Sequence, residues 1–327
     1  MPCHLVRLGL ACCVGALSAA LASGQQPGVE SSRKGGVVES SLIPAESYRK
    51  KWAVIVGTNY RTTEREPLKR GSIGELKHAE NDAREFGDVL LKYYGYQRDE
   101  VIALIGREAT FEALSRELDN RGRFFNKEKV GPDDSVLFYF SGHGFLEQSG
   151  DGRGNQAYVL PWDVSIDGNE PRTSTAFNVG ALVRELIYQC PARHKLLILD
   201  CCHSGWVFRI NGAEGGKFEH RRADSSLFRF PAIQAMTASR ESQVAWEGGP
   251  GENHSPFTAA LLRAMKSIPR KISREQYRYT ANVLFDTMNS YLDSNLPPDQ
   301  SPQCKWLDGN QQGEFHFYPD PAVEFPE

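Results

Sequence analysis

From residue 51 onward the chain alternates short unbroken apolar runs with longer stretches of helical period. Trp52 to Val56 is apolar throughout and stops at Gly57, which predicts a strand buried on both faces. Between Glu75 and Tyr93 the residues Leu76, Ala79, Ala83, Phe86 and Leu90 recur at helical spacing, which predicts an amphipathic helix. Further strand signals fall at Val101 to Ile105, Ser135 to Phe140, Ala157 to Leu160, Leu196 to Leu199 and Ala232 to Met236. Helices are predicted from the cap Thr110 through Leu118, across Val179 to Tyr188, and from about Pro256 and Arg274; the chain closes on Glu314 to Tyr318. No internal repeat interrupts this region. Apolar strands alternating with helices predict an α/β fold: an open, mostly parallel sheet with helices on both faces, built as a single domain.

The first residues follow a different pattern. Arg7 precedes an uncharged, Ala/Leu/Cys-rich run from Leu8 to about Ala22, and Ala20-Leu21-Ala22 offers a cleavage signal. Residues 1–24 are therefore expected to be a signal peptide that exports the protein to a periplasmic or extracellular space. The run is roughly 15 residues, short of the ~20 of a membrane span, so no stable span is expected. Residues 25–48, rich in Gly, Ser and Gln without periodicity, are expected to form a flexible leader, 49–320 the folded domain and 321–327 a tail.

Composition narrows the function classes. A net charge of -3 over 327 residues lacks the excess of Lys and Arg that a phosphate-tracking surface shows, so no nucleic-acid partner is expected. Of the cysteines, Cys3, Cys12 and Cys13 fall in the signal segment, leaving Cys190, Cys201, Cys202 and Cys304, too few for a disulfide scaffold.

Two predicted strand ends are chemically unusual, and in open α/β sheets reactive groups collect at the carboxyl ends of strands. In Phe140-Ser141-Gly142-His143-Gly144, glycines flank a histidine just beyond an apolar strand. In Leu199-Asp200-Cys201-Cys202-His203-Ser204-Gly205, a strand releases two thiols into a loop, where a polar, partly exposed setting favours the thiolate. If the strands are neighbours, a histidine and a cysteine meet at one edge, the minimum apparatus for nucleophilic acyl transfer. Spacing alone does not choose between Cys201 and Cys202. A metal site on His143, Cys202 and His203 lacks any paired-ligand spacing, and a thiol-disulfide oxidoreductase on Cys201 and Cys202 lacks Cys-x-x-Cys. Asp151-Gly152-Arg153-Gly154-Asn155 has neither EF-hand spacing nor a dinucleotide fingerprint.

The two motifs resemble the active-site motifs of caspase-like cysteine peptidases, most closely the metacaspase branch. Asn81-Asp82-Ala83, Leu160-Pro161-Trp162-Asp163 and Ser255-Pro256-Phe257-Thr258 extend the resemblance over roughly 270 residues. It implies a caspase-like fold and an endopeptidase acting on polypeptides, with Cys202 as nucleophile, His143 as acid and base, and the backbone N–H groups of Gly144 and Cys202 as oxyanion donors. Asp82, Asp200 and Ser141 match the pocket for the residue before the cut, and two carboxylates there imply cleavage after Arg or Lys. Ala79 departs from the small polar or Cys residue the family has. Many metacaspases use calcium; here Asp163 matches, but Thr175-Ala176-Phe177-Asn178 stands where an acid pair would lie, so no cofactor is expected. A basic-specific peptidase is also expected to cut its own polar segment at Lys217, Arg221 or Arg222. The competing class is a catalytically silent caspase-like module that binds or senses. Trp246 and Glu247 lie in a loop with a candidate substrate contact.

Overall fold

The computed structural model describes residues 47–61, 73–118, 122, 126–148, 154–209, 228–248, 253–272, 277–292, 296 and 300–326. The expected signal peptide, nearly all of the expected leader and the basic positions 217, 221 and 222 lie outside them. The strands are β1 (Lys51–Gly57), β2 (Val101–Ile105), β3 (Ser135–Ser141), β4 (Gly144–Glu147), β5 (Gln156–Val159), β6 (Ile166–Asp167), β7 (Glu170–Pro171), β8 (Phe177–Asn178), β9 (His194–Asp200), β10 (Ala232–Thr237), β11 (Tyr279–Thr280), β12 (Gln303–Trp306) and β13 (His316–Phe317). The α-helices are α1 (Ala79–Tyr93), α2 (Phe111–Leu118), α3 (Val179–Tyr188), α4 (Pro256–Ser267) and α5 (Ala281–Leu292).

The main sheet runs β12-β10-β9-β3-β1-β2. Its pairings are parallel except β10 with β12. Alternate side chains enter opposite cores, as the pleat requires. Trp52, Val54, Val56, Phe138, Phe140, Leu197 and Leu199 pack with α2 and α3 on one face. Ala53, Ile55, Leu137, Tyr139, Leu196 and Ile198 pack with α1, α4 and α5 on the other. The expected open, mostly parallel sheet covered on both faces is present.

Several local expectations need correction. The Ala157 segment does not continue the parallel sheet: β5 pairs antiparallel with β4 and β8 in a separate three-stranded sheet. Its partners flank it closely in the chain, so a hairpin is available, and its burial alternates rather than being continuous. Edge strand β12 carries Lys305 between Cys304 and Trp306 and gives no apolar run to read. Helix α5 starts at Ala281, not near Arg274, because Tyr279 and Thr280 pair with β13 first. Helix α1 starts four residues later than its apolar spacing suggests. Leu76 instead donates its N–H to Asn59 O at 2.9 Å, so the chain before the helix is tied to the segment just past the end of β1. Tyr48, the last residue of the expected leader, is buried against His194 and Phe228, and Phe325 of the expected tail packs on Tyr93.

Among the described residues no helix is long and apolar enough to cross a membrane.

Candidate active site

Parallel pairing puts three strand ends in register: Gly57 opposes Ser141, and Ser141 opposes Asp200. The chain leaves β1 to one side for β2 and returns on the other as β3, so this edge borders the point where strand order reverses, the usual ligand crevice of such sheets. Helix α1 begins hard against it. A β-carbon on Gly57 would fall 2.4 Å from Ala79 O and from Ala83 Cβ, and this close approach brings Asp82 to the sheet edge.

A cavity of about 370 Å³ opens there, with Asp82, Ser141, His143, Asp200 and Cys202 in its wall. Five of the six predicted site residues therefore share one cavity, drawn from α1, β3, β9 and the loops beyond them. The sixth, Gly144, abuts Cys202: a β-carbon on it would meet the Cys202 carbonyl oxygen at 2.1 Å. A glycine is needed here because the space a side chain would take is already filled by the nucleophile loop.

His143 is held from both sides. Its Nε2–H donates to Gly74 O at 2.8 Å, and its backbone N–H donates to the Tyr60 hydroxyl at 3.1 Å. Tyr60 in turn donates to Leu160 O, and its ring lies 4.9 Å from the imidazole, centroid to centroid. A carbonyl can only accept, so Nε2 carries the proton and, in the neutral ring, Nδ1 carries the lone pair. Tyr60 adopts φ 55°, a left-handed conformation that costs a bulky residue about 1–2 kcal/mol, and it is wholly buried. The late start of α1 is what carries the Gly74 carbonyl to the imidazole.

The structure separates the two thiols. Cys201 is buried in the apolar core on the α2–α3 face, whereas Cys202 is half-buried. Burial pushes the Cys202 thiol up and the nearby Asp200 adds to this, against backbone N–H bonds that pull it down; the net direction is upward. The expectation that the loop favours a thiolate is thus reversed, because the sulfur lies in a partly desolvated cleft beside acids. His203 turns at φ 57°, with its Nδ1–H donating to Glu241 O at 3.0 Å, and it does not join the cavity. Ser204 ties the turn to the end of β10, where its hydroxyl accepts the Ser239 N–H at 3.2 Å.

The acids sit deep in the cavity wall. Asp200 Oδ2 accepts the hydroxyls of Ser255 and Thr258, the latter at 2.7 Å. Burial and the neighbouring Asp82 push its pKa up to about 7. Asp82 is wholly buried; it accepts the Ser141 hydroxyl at 3.4 Å and the Ser255 N–H. Burial raises its pKa also, against the pull of His254. Glu247 adds a third carboxylate to the lining, accepting the Lys77 N–H, and Ala79 and Trp246 line the cavity as well.

Sequence reading missed Tyr60, Gly74 and His254. Only His254 left a signal, its place directly before the Ser255 cap of α4. Asp163 is used elsewhere: its Oδ1 accepts the Phe111 N–H at 2.7 Å at the start of α2. Asn178 caps α3 by accepting the Ala181 N–H at 2.7 Å. Both side chains are engaged at helix ends.

Fold and site together define an α/β protein with an imidazole and a thiol sharing a cavity at the carboxyl edge of its sheet. The chain belongs to the caspase domain family, whose model matches residues 50–312. It is similar to Metacaspase-2 of Arabidopsis thaliana, 23% identical over 77% of this chain and 60% of that one. It is 29% identical to Metacaspase-1 of Pyricularia oryzae over 37% of this chain and 29% of that protein. The chain thus spans less than two thirds of the curated relatives it matches. Caspase-1 from Spodoptera frugiperda superposes with a TM-score of 0.49 at 13% identity, covering 80% of this chain and 90% of that one.

Proposed function

We propose that the protein is a cysteine endopeptidase that hydrolyses polypeptides after Arg or Lys. The observation that carries this reading is one cavity holding His143, Cys202 and two buried carboxylates. With Cys202 pushed up by burial, the resting sulfur is a thiol and needs a base. Substrate arrival excludes water, His143 Nδ1 takes the thiol proton, and Sγ attacks the scissile carbonyl. The C–N bond breaks as the imidazolium gives that proton to the leaving amine, and water then releases the acyl group from sulfur. The backbone N–H groups of Gly144 and Cys202 are the proposed oxyanion donors, and their mutual contact fixes their spacing.

Asp82, Asp200 and Ser141 form the proposed pocket for the residue before the cut, with Glu247 adding negative charge. An Asp side chain would meet like charge there. Calcium independence is supported by the use of Asp163 and Asn178 as helix caps. Export and self-cleavage at Lys217, Arg221 or Arg222 complete the proposal and rest on the sequence.

The test is hydrolysis of fluorogenic peptides ending in Arg, Lys or Asp by wild type and Cys202→Ala, with calcium or chelator. Turnover of Arg and Lys peptides alone, abolished by the substitution and indifferent to chelator, is the expected result. Silence toward every peptide overturns the reading in favour of a binding module.

A further inference from the structure

Helix α1 carries Asp82 and Glu85 at i and i+3, on one face. His254, the residue before the cap of α4, reaches between them. Its Nδ1–H donates to Asp82 Oδ1 at 2.7 Å and its Nε2–H donates to Glu85 Oε2 at 2.8 Å. With both carboxylates ionised they only accept, so the ring carries a proton on each nitrogen and is an imidazolium; the same proton held on Asp82, whose pKa burial raises, leaves the pair equally neutral. Asp82, the acid proposed to receive a basic substrate side chain, therefore already holds a cation.

The surroundings fix the charge balance. Lys266 Nζ donates to Glu85 Oε1 at 2.6 Å, so Glu85 is shared between two cations. Arg263 and Lys266 line a second cavity, about 680 Å³, against which His254 and Glu85 also lie. His78 acts on Asp82 from just before α1. Asn81 is turned to Asn253 O, 2.9 Å away, and adds no charge. With its proton in place the Asp82–His254 pair is neutral; without it the pair is -1.

We infer that His254 is a specificity-determining residue: its imidazolium is an internal counter-ion that limits how much of the Asp82 charge the pocket offers to a basic side chain, and that gives up its proton when such a side chain enters. The inference rests on the reading that this pocket receives Arg or Lys. Burial draws the His254 pKa down, but the hydrogen bond to Asp82 and the charges of Asp82 and Glu85 outweigh it, and the net shift is upward. Burial likewise makes Asp82 hold a proton more readily. Both directions keep the shared proton on the empty pocket near neutrality. An entering guanidinium supplies the positive charge instead, and the proton leaves to solvent, so no oxidant or second reactant is required.

The test uses the full chain carrying Cys202→Ala, with agmatine as a guanidinium probe, in calorimetric titrations from about pH 6 to about pH 9 in buffers of different ionisation heat. Agmatine is expected to bind more tightly as pH rises and to release protons. Adding His254→Gln is expected to raise affinity about tenfold at the acid end and to lower proton release, leaving the share due to Asp200. In the protein that keeps His254, ring NMR shifts should move toward neutral imidazole on saturation, a readout independent of whether His254→Gln folds. Equal affinity, pH profile and proton release with and without His254, or a ring that stays protonated on saturation, overturns the inference alone. If agmatine binds neither form, the reading of a basic-side-chain pocket falls with it.

Discussion

Gly144 and Cys202 are in backbone contact so close that a single added carbon on Gly144 would sit 2.1 Å from the Cys202 carbonyl oxygen. Since Gly144 opens β4 and β4 is paired with β5, the strand is the less mobile side of this contact. Gly144→Ala is expected to displace the Cys202 loop and lower kcat/KM at least 10²-fold, the scale of losing one oxyanion donor. A circular dichroism melt should show that the fold survives. Activity within twofold of wild type would show that the loop yields at no cost to the site.

Tyr60 is expected to act as a positioning residue for His143. Tyr60→Phe keeps the ring beside the imidazole and deletes the hydroxyl that accepts His143 N–H and donates to Leu160 O. Each bond is worth about 1 kcal/mol net, and freeing the imidazole backbone should lower kcat about tenfold. KM for an Arg peptide should move less than twofold, since Tyr60 does not line the cavity. Parallel changes in both constants would mark a general loosening instead.

How much of this was legible follows from where each signal resides. The main strands could be read because Trp52 to Val56, Ser135 to Phe140 and Leu196 to Leu199 are buried on both faces and so carry no polar alternation. The strand ends with their His and Cys could be read because the chemistry lies next to those runs. Tyr60 could not: its φ of 55° is imposed by tertiary hydrogen bonds against its own preference. Gly74 acts through a carbonyl, which no residue type announces. His254 lies 172 positions from Asp82 in the chain, and its meaning arises only when α4 docks on α1. The thiol was misjudged for the same reason, since sequence shows a polar loop but not the burial around it.

The charge on Asp200 is expected to govern substrate choice. Asp200→Asn retains an oxygen that can accept from Ser255 and Thr258, so the wall should hold while the charge is lost. Removing the charge from a buried charge-assisted contact costs about 2–3 kcal/mol, roughly a 30- to 150-fold rise in KM for Arg peptides. Peptides with citrulline, the neutral counterpart of Arg, should lose little. Because the wild-type carboxyl titrates near 7, KM for Arg peptides should also fall as pH rises through neutrality, and this limb should flatten in Asp200→Asn. An Arg-to-citrulline preference unchanged by the substitution would place the recognition elsewhere.

At the opposite end of the sheet, a buried histidine pair is expected to set the response of stability to acid. His194 Nε2–H donates to Phe230 O at 3.0 Å, so its Nδ1 lone pair accepts the Tyr48 hydroxyl at 2.6 Å. Its ring stacks on His316, whose two nitrogens have no hydrogen-bond partner among the described residues. Burial holds His194 neutral, its pKa lowered to about 3, and holds His316 well below its usual range. The folded pKa values lie below the unfolded one near 6.5, so the unfolded chain takes up protons first as pH falls. The stability these neutral rings contribute is therefore fully present above about pH 6.5 and is lost progressively toward pH 3, up to about 5 kcal/mol for His194 alone. Urea midpoints should decline across that window. His316→Phe removes one of the two titrating rings and an unpaired buried polar group, and should make the decline shallower. An equally steep acid limb in His316→Phe would assign acid sensitivity to the carboxylates instead.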